Sequence, residues 1–130
     1  MSLFSIFGGK ANKPEYPTDT VRYGEEGAVT FTFFKHASFA ITIGDKHIYN
    51  DPVAEYAKYA QLPKADVVLV THSHYDHLDR AAIDDITTRN SVIICDKTSA
   101  ETFDGEAVVM TPGMKSQPLP NVVVEAVAAY

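Results

Sequence analysis

The chain has 130 residues, of which 45% are hydrophobic and 22% charged, the composition of one ordinary globular domain with a buried core. Its net charge of −6, with no run of Lys or Arg, argues against nucleic acid as a partner. A single cysteine, Cys95, excludes an internal disulfide framework, and no apolar run is long enough to span a membrane. We therefore expect a cytoplasmic protein with no membrane partner, in which Cys95 is reduced and buried.

The first part of the chain predicts a tail followed by an antiparallel sheet. Residues 1–27 are rich in Gly, Pro, Lys and Glu and show no sustained period, so we interpret them as an N-terminal tail before a domain at 28–130. From Val29 onward, hydrophobic residues alternate with polar ones, as in a half-buried strand. We predict an antiparallel meander of three short strands at residues 29–34, 39–43 and 47–50.

The rest of the chain predicts strands that alternate with short helices. Residues 67–70 form a continuous apolar run, typical of a strand buried on both faces. Asp79 is the expected N-cap of a helix that reaches about Thr88, and residues 98–101 fit a capping box that starts a second helix ending near Gly105. We also predict a helix or ordered loop at 53–62, strands at 91–95, 107–110 and 122–127, and a turn at 111–113. The whole pattern is α/β with a mixed sheet.

The stretch THSHYDHLD, which directly follows the predicted strand 67–70, carries the chemistry of the chain. It lies at the carboxyl edge of the sheet, where ligand sites of α/β folds are found. Because residues two apart point the same way in extended backbone, His72, His74 and Asp76 can project to one side, and His77 can fold back toward the helix. A solvated helix-entry loop does not require four such side chains, so we interpret the cluster as a metal site.

The residue types and their spacing indicate which metal chemistry to expect. Imidazole nitrogen and carboxylate oxygen suit zinc, manganese, iron or nickel, and a Cys-rich structural zinc site is excluded. The His-Glu-x-x-His pattern of a single-metal protease is absent. Asp76 and His77 can face a different centre from His72 and His74, which suggests two ions sharing a bridging hydroxide. Such a site would hydrolyse an ester, lactone, amide or phosphodiester of a small-molecule substrate.

The motif His-x-His-x-Asp-His after a hydrophobic strand resembles the metal motif of the metallo-β-lactamase superfamily. The flanking stretches KHASF, HIYNDP and ADVVLVTH resemble the branch of bacterial metal-dependent hydrolases that includes L-ascorbate-6-phosphate lactonase. The likeness runs from about Val29 to the last residue. It implies a metallo-β-lactamase-like αββα sandwich, of which this chain looks like the first αβ half.

The resemblance also implies roles for individual residues of the motif. His72 and His74 would bind the first metal ion, while Asp76 and His77 would bind the second. Asp76 would in addition act in catalysis by orienting the attacking hydroxide. Zinc is the expected cofactor, as one or two ions, with manganese, iron or nickel as alternatives.

Two residues outside the motif receive roles from the same resemblance. Asp51 would be a carboxylate behind the ligands that orients them or their loop. His36 would lie at the rim of the site near a substrate anion, and its alternative is a strand-end histidine bonded to backbone. Lys35 stands where relatives usually have glycine, so the match is weaker at that point.

In the family that the chain resembles, a second half supplies another histidine, a bridging aspartate and a final histidine. This chain has no histidine after His77, so we expect the amino-terminal half of a longer hydrolase, inactive as 130 residues. The alternative is a non-enzymatic half-domain that binds a partner or forms a homo-oligomer through its exposed sheet face. A third function, nucleic-acid processing, is disfavoured by the acidic charge balance.

Overall fold

A computed structural model describes residues 15–25 and 27–129 of the chain. Strands β1 to β7 form one mixed sheet in chain order, antiparallel from β1 to β4 and parallel from β4 to β7, while β8 and β9 form a separate hairpin. The α/β class, with a mixed sheet and few short helices, is confirmed. The elements are β1 (Thr18–Tyr23), β2 (Gly27–Lys35), β3 (Ser38–Ile43), β4 (Lys46–Asn50), β5 (Val67–Val70), α1 (Arg80–Ile86), β6 (Val92–Cys95), α2 (Lys97–Ala100), β7 (Val108–Val109), β8 (Lys115–Leu119) and β9 (Val122–Glu125).

The predicted antiparallel meander is present as β2, β3 and β4, and the structure adds a strand before it. Strand β1 lies within the segment predicted as a tail and pairs with β2 along six residues. The tail prediction is therefore wrong for residues 18–23, whereas residues 1–14 lie outside the described part of the chain. All six side chains of β1 are exposed, so no hydrophobic pattern marks it, and pairing with β2 stabilises it instead.

Strand β5 is buried on both faces, as its apolar run predicts, because a layer packs on each side of the sheet. Val68 joins a core that includes Ile83 and Ile86 of α1. Val67 points the other way and packs with Ile94 beneath partly buried side chains of the β8–β9 hairpin. Complete burial of one such aliphatic side chain contributes about 1.5–3 kcal/mol. These two cores hold the carboxyl end of β5 in place.

Helix α1 begins where the sequence predicts it. The Asp79 carboxylate accepts hydrogen bonds from the N–H groups of Ala81 and Ala82, and its second oxygen accepts from Ala54 N–H at 2.9 Å. The helix ends at Ile86, two residues before the expected end. With seven residues it is the longest helix in the described part of the chain, and no helix there could cross a membrane.

Helix α2 begins earlier than the sequence pattern suggests. Its N-cap is Asp96, whose side chain accepts a hydrogen bond from Ser99 N–H at 3.2 Å, so the predicted cap at Thr98 is wrong. Asp and Thr both favour N-cap positions. Asp96 directly follows β6 and comes two residues before Thr98, so the helix begins earlier, with Asp96 capping its free N–H groups. A 3-10 turn at Glu101–Phe103 continues α2 and stops before Gly105.

The β8–β9 hairpin packs on the core that contains Val67 and Ile94, and the sequence predicted only its second strand. Strand β9 ends at Glu125 rather than at residue 127, and β8 had no prediction. Pro118 in β8 argues against a strand because proline cannot donate to a sheet. A register shift between Ser116 and Leu119 accommodates it at the edge of this two-stranded sheet.

The loop between β4 and β5 resolves an open alternative. Residues 53–62 form an ordered loop with one 3-10 turn at Tyr59–Gln61 rather than an α-helix. Tyr59 is buried in the core beneath α1. The neighbouring Tyr49 donates its hydroxyl hydrogen to Pro63 C=O at 2.6 Å, which ties the end of this loop to β4. The loop is therefore packed against the sheet at both Tyr59 and Pro63.

Candidate metal centre

The loop at residues 71–79, called the ligand loop below, leaves β5 at its carboxyl end and folds back before α1. The N–H groups of His77 and Leu78 both donate to His74 C=O, at 2.9 and 2.8 Å, which closes a tight turn. The ring centroid of His72 lies 4.6 Å from that of His74 and 3.9 Å from that of His77. The structure thus brings the three motif histidines into contact at one edge of the sheet.

Asp51 lies behind this loop, directly after β4, and is completely buried. Its φ of +45° is left-handed, a conformation in which Asp is more frequent than most residues. The carboxylate accepts hydrogen bonds from Thr71 N–H and from the Thr71 hydroxyl, both at 2.7 Å, and lies 2.7 Å from Nδ1 of His77. The buried charge is therefore compensated by three donors, and it anchors the start of the ligand loop.

The contact with Asp51 decides which nitrogen of His77 faces the site. An ionised carboxylate can only accept hydrogen bonds, so we infer that Nδ1 carries the ring proton and that Nε2 keeps its lone pair. Nε2 of His77 lies 3.6 Å from Oδ1 of Asp76. Ligand histidines in metal sites are commonly oriented by such a carboxylate on the other ring nitrogen.

His36 approaches the same point from the turn between β2 and β3. Its Nε2 lies 3.3 Å from Nε2 of His77 and 3.2 Å from Oδ2 of Asp76. One donor atom from each of these three residues lies within 4.8 Å of the others. The side chains of His36, Asp76 and His77 are 49%, 30% and 13% exposed, so the group opens to solvent on one side. A ligand could therefore reach it.

The structure and the sequence divide the ligands differently. The sequence assigns one ion to His72 and His74 and a second ion to Asp76 and His77. Among the described residues, the one compact three-donor group consists of His36, Asp76 and His77. His72 and His74 lie at the same edge as ring neighbours but outside that group. Their assignment to a separate ion stays a prediction.

Two further residues belong to the site and escaped the sequence analysis. The sequence could have indicated Thr71, because its hydroxyl group stands directly between the buried strand and the first motif histidine. Its Oγ1 also lies 3.0 Å from Nδ1 of His72. Tyr56 packs against His36 with ring centroids 6.3 Å apart. No spacing rule connects Tyr56 to the motif, so only the fold reveals it.

Tyr56 faces the acidic side of the site. Desolvation, followed by repulsion from the carboxylates of Glu55 and Asp76, raises the pKa of the Tyr56 phenol. The phenol is therefore neutral at physiological pH and can donate a hydrogen bond. The ammonium group of Lys35 lies 5.9 Å from the centre of the Tyr56 ring. A cation and a neutral phenol thus border the entrance beside His36.

The donor set fits a first-row transition metal. Imidazole nitrogen together with carboxylate oxygen suits zinc, manganese, iron or nickel, whereas calcium and magnesium prefer sites made of oxygen alone. Cys95 contributes no thiolate, since it is buried in β6 and desolvation, together with Asp96, raises its pKa to about 11. Cys95 is a free, buried cysteine, as predicted.

Solved structures share this fold. A crystal structure of a protein from Parabacteroides distasonis, assigned as a metal-dependent hydrolase, aligns with a TM-score of 0.85 and 35% identity, covering 89% of this chain and 52% of that one. A metallo hydrolase from the archaeon Ignicoccus hospitalis aligns with a TM-score of 0.58 and 19% identity, covering 78% of this chain and 48% of that one. The second likeness concerns the fold alone.

Sequence relatives also include a metal-dependent hydrolase. A UPF0173 metal-dependent hydrolase from Flavobacterium johnsoniae is 44% identical over 52 residues, 36% of this chain and 23% of its own length. Cytidine monophosphate-N-acetylneuraminic acid hydroxylase from Asterias rubens is 29% identical over 97 residues, 60% of this chain and 15% of its own length. The chain thus spans about half of the solved structures and less than a quarter of these sequences.

The family itself follows from a match that covers about three quarters of the chain. The beta-lactamase superfamily domain matches residues 30–128, which include every strand from β3 to β9, both helices and the ligand loop. The mixed sheet, the short helices and the histidine-rich edge agree with that assignment. The chain therefore belongs to the beta-lactamase superfamily, and its sheet and helices form a metallo-β-lactamase-like fold.

Proposed function

We propose that the chain carries the ligand loop of a metal-dependent hydrolase that acts on a lactone, ester or phosphodiester of a small molecule. The observation that carries this proposal is the gathering of Asp76 and the three motif histidines at one sheet edge, with buried Asp51 behind them. Relatives named metal-dependent hydrolases support it. When bound, one or two zinc ions, or manganese, iron or nickel, would lower the pKa of a water molecule and polarise the substrate.

The residues of the chain would divide the remaining work. His72 and His74 would hold one ion, and Asp76 and His77 a second. Asp51 keeps the proton on Nδ1 of His77, so that Nε2 stays available as a ligand. Asp76 is partly exposed at the mouth of the site, where a carboxylate oxygen can accept a hydrogen bond from water and orient it. No serine or cysteine nucleophile is required.

A cleft beside the ligand loop supports a small-molecule substrate. The cleft has a volume of about 530 Å³, and its walls include Thr71, Leu69, Ile94, Met110 and Val124. Sites for small molecules commonly have volumes of about 300–1,000 Å³ and mostly apolar walls. Thr71 joins this cleft to Asp51 and His72. A substrate could therefore place an apolar portion in the cleft and its scissile bond at the loop.

We also propose that the 130 residues alone turn over little or no substrate. The three-donor group is open to solvent, and the sequence contains no histidine after His77. An open site leaves much of the coordination sphere of an ion to water, which lowers affinity and weakens control over the attacking molecule. Weak metal binding without turnover is the behaviour expected of this chain in isolation.

The test compares the 130-residue chain with the product of its complete open reading frame. Metal content is measured together with hydrolysis of a lactone, a p-nitrophenyl ester and a phosphodiester. In whichever of these two proteins hydrolyses a substrate, we expect Asp76→Ala to lower kcat/KM by about 10²-fold or more. Asp45→Ala, the same change in the exposed β3–β4 turn, should have no effect. An Asp76→Ala enzyme with undiminished turnover would contradict the proposed function.

The alternative, a non-enzymatic module that self-associates, has one observation in its favour. Val123, on β9, and Val127, which lies just after β9 and lines the apolar cleft, are 62% and 75% exposed. Exposed apolar side chains of this kind can belong to an interaction surface. Sedimentation of the chain tests this function. A symmetric dimer that Val123→Ser and Val127→Ser abolish would favour it, whereas a monomer at high concentration would contradict it.

A further inference from the structure

We infer that His36 is itself a metal ligand and that it forms, with Asp76 and His77, a three-donor site that the loop motif alone does not provide. The inference rests on the proposed metal-dependent function. It adds a residue from the β2–β3 turn to ligands that otherwise come from one loop, 41 residues further along the chain.

The backbone of the β2–β3 turn holds His36 in an unusual conformation. The φ angle of His36 is +57°, which is left-handed, a conformation that few residues other than glycine adopt. Two hydrogen bonds hold the turn: the Asn50 side-chain amide donates to Ala37 C=O at 2.9 Å, and the Ser38 hydroxyl donates to Asp51 C=O at 2.5 Å. Both bonds tie the turn to the end of β4. Unusual backbone held in place by its surroundings is frequent at ligand sites.

The anchor of this turn also positions the ligand loop. Asp51 receives the Ser38 hydroxyl on its carbonyl oxygen, while its carboxylate contacts Thr71 and His77. One buried residue therefore sets the position of His36 and of His77 together. The two imidazoles therefore face each other because Asp51 anchors the backbone that carries each of them.

The donor separations match those around a metal ion. Two ligand atoms bound to zinc at about 2.1 Å each, in tetrahedral arrangement, lie roughly 3.4 Å apart. Nε2 of His36 and Nε2 of His77 are 3.3 Å apart, and each lies near a different oxygen of Asp76, at 3.2 Å from Oδ2 and at 3.6 Å from Oδ1. With one donor atom from each residue, all separations stay within 4.8 Å, so a rotation of the Asp76 carboxylate would let the three side chains share one ion.

Charge explains why a cation suits this point. Nε2 of His77 carries a lone pair, because Nδ1 donates to Asp51, and the Asp76 carboxylate accepts only. Two acceptors aimed at one place repel each other unless a proton or a metal ion lies between them. His36 can supply the proton, as a hydrogen-bond donor, or it can join the two acceptors in binding a metal ion.

Substitution of His36 tests its role as a ligand. His36→Asn suits left-handed backbone and removes Nε2, the nitrogen that faces Asp76 and His77, so any bond from His36 to a metal ion is lost. His47→Asn is the matched control, since His47 lies on β4 with Nδ1 3.5 Å from the Thr42 hydroxyl and outside the three-donor group. The readouts are zinc titration of the 130-residue chain by calorimetry and nitrogen NMR of its histidine side chains.

We expect His36→Asn to weaken zinc binding about tenfold or more, and His47→Asn to leave it unchanged. Zinc should shift the Nε2 resonances of His36 and His77 together in the wild-type chain. Wild-type zinc affinity in His36→Asn, or an unmoved His36 resonance, would overturn the inference while leaving the proposed function intact. Absence of zinc, manganese, iron and nickel from both the chain and the product of its complete reading frame would overturn both.

Discussion

Nδ1 of His77 lies 2.7 Å from Oδ2 of Asp51, although 26 residues separate the two along the chain. Thr71 supplies two further hydrogen bonds to the same buried carboxylate. One side chain therefore joins the end of β4, the end of β5 and a proposed metal ligand. Changes at Asp51 should affect folding and metal binding together.

We expect Asp51→Asn to lower the free energy of unfolding by about 2–4 kcal/mol, because an amide cannot accept from all three donors that face the buried carboxylate. Asn adopts left-handed backbone as readily as Asp, so the variant changes the side chain and not the strain. Zinc affinity should fall about 10–100-fold as His77 loses its orienting partner. Urea denaturation and calorimetric titration measure the two effects.

The control for this substitution is Asp45→Asn, which makes the same chemical change in the exposed β3–β4 turn. Its unfolding free energy should stay within about 0.5 kcal/mol of the wild-type value. Wild-type stability and wild-type zinc affinity in Asp51→Asn would show that the buried carboxylate does not anchor the loop.

We expect Asp79→Ala to destabilise the chain by about 1–3 kcal/mol. Asp79 caps α1 through Ala81 and Ala82 and also holds the N–H of Ala54, so its loss leaves three donors without their partner. Asp79→Asn should recover much of this loss, since Asn is a good N-cap. Urea denaturation of the three proteins is the measurement.

A second acidic residue on the same helix serves as the comparison for Asp79. Asp84 is exposed and pairs with Arg80 one turn away, at 2.9 Å. Exposed pairs of this kind contribute about 0.3–0.5 kcal/mol. An Asp84→Ala loss as large as that of Asp79→Ala would contradict the capping role.

The chain should lose stability in alkaline solution. Burial raises the pKa of Tyr59 to about 12 and raises that of Tyr49 even further, from an ordinary value near 10. The folded state therefore holds these phenol protons more tightly than the unfolded state does. Their contribution to stability is complete below about pH 10 and declines as the pH rises through about 12.

Urea denaturation at a series of pH values between about 8 and 11 measures this loss. Tyr59→Phe should show a smaller decline above pH 10 than the wild-type chain, because it removes one of the two buried phenols. Tyr75 is 87% exposed, so Tyr75→Phe should decline as the wild-type chain does. Equal declines in all three proteins would argue against buried phenols as the cause.

Two buried serines should respond to alanine substitution in opposite ways. The Ser99 hydroxyl finds no hydrogen-bond partner among residues 15–25 and 27–129, so Ser99→Ala should be neutral or stabilise the chain by up to about 1 kcal/mol. Ser38 donates to Asp51 C=O, so Ser38→Ala should destabilise it by about 1–3 kcal/mol. Thermal or urea unfolding of the pair, measured side by side, tests both.

Local patterns in the sequence determined the parts of the chain whose structure depends on neighbouring residues. The apolar run of β5 requires burial on both faces, and Asp79 caps the helix that follows, so the position of the ligand loop between them was predictable. The spacing of His72, His74, Asp76 and His77 placed them on that loop. The family followed from the same short stretch and its flanks.

Only the tertiary structure decided the relationships between residues far apart in the chain. Strand β1 forms because β2 offers it an edge, with no hydrophobic pattern of its own. His36 meets Asp76 and His77 because the hydrogen bonds of Ala37 and Ser38 hold the β2–β3 turn against β4. Such contacts depend on which strands pair and on the turns between them, and periodicity within one segment does not determine either.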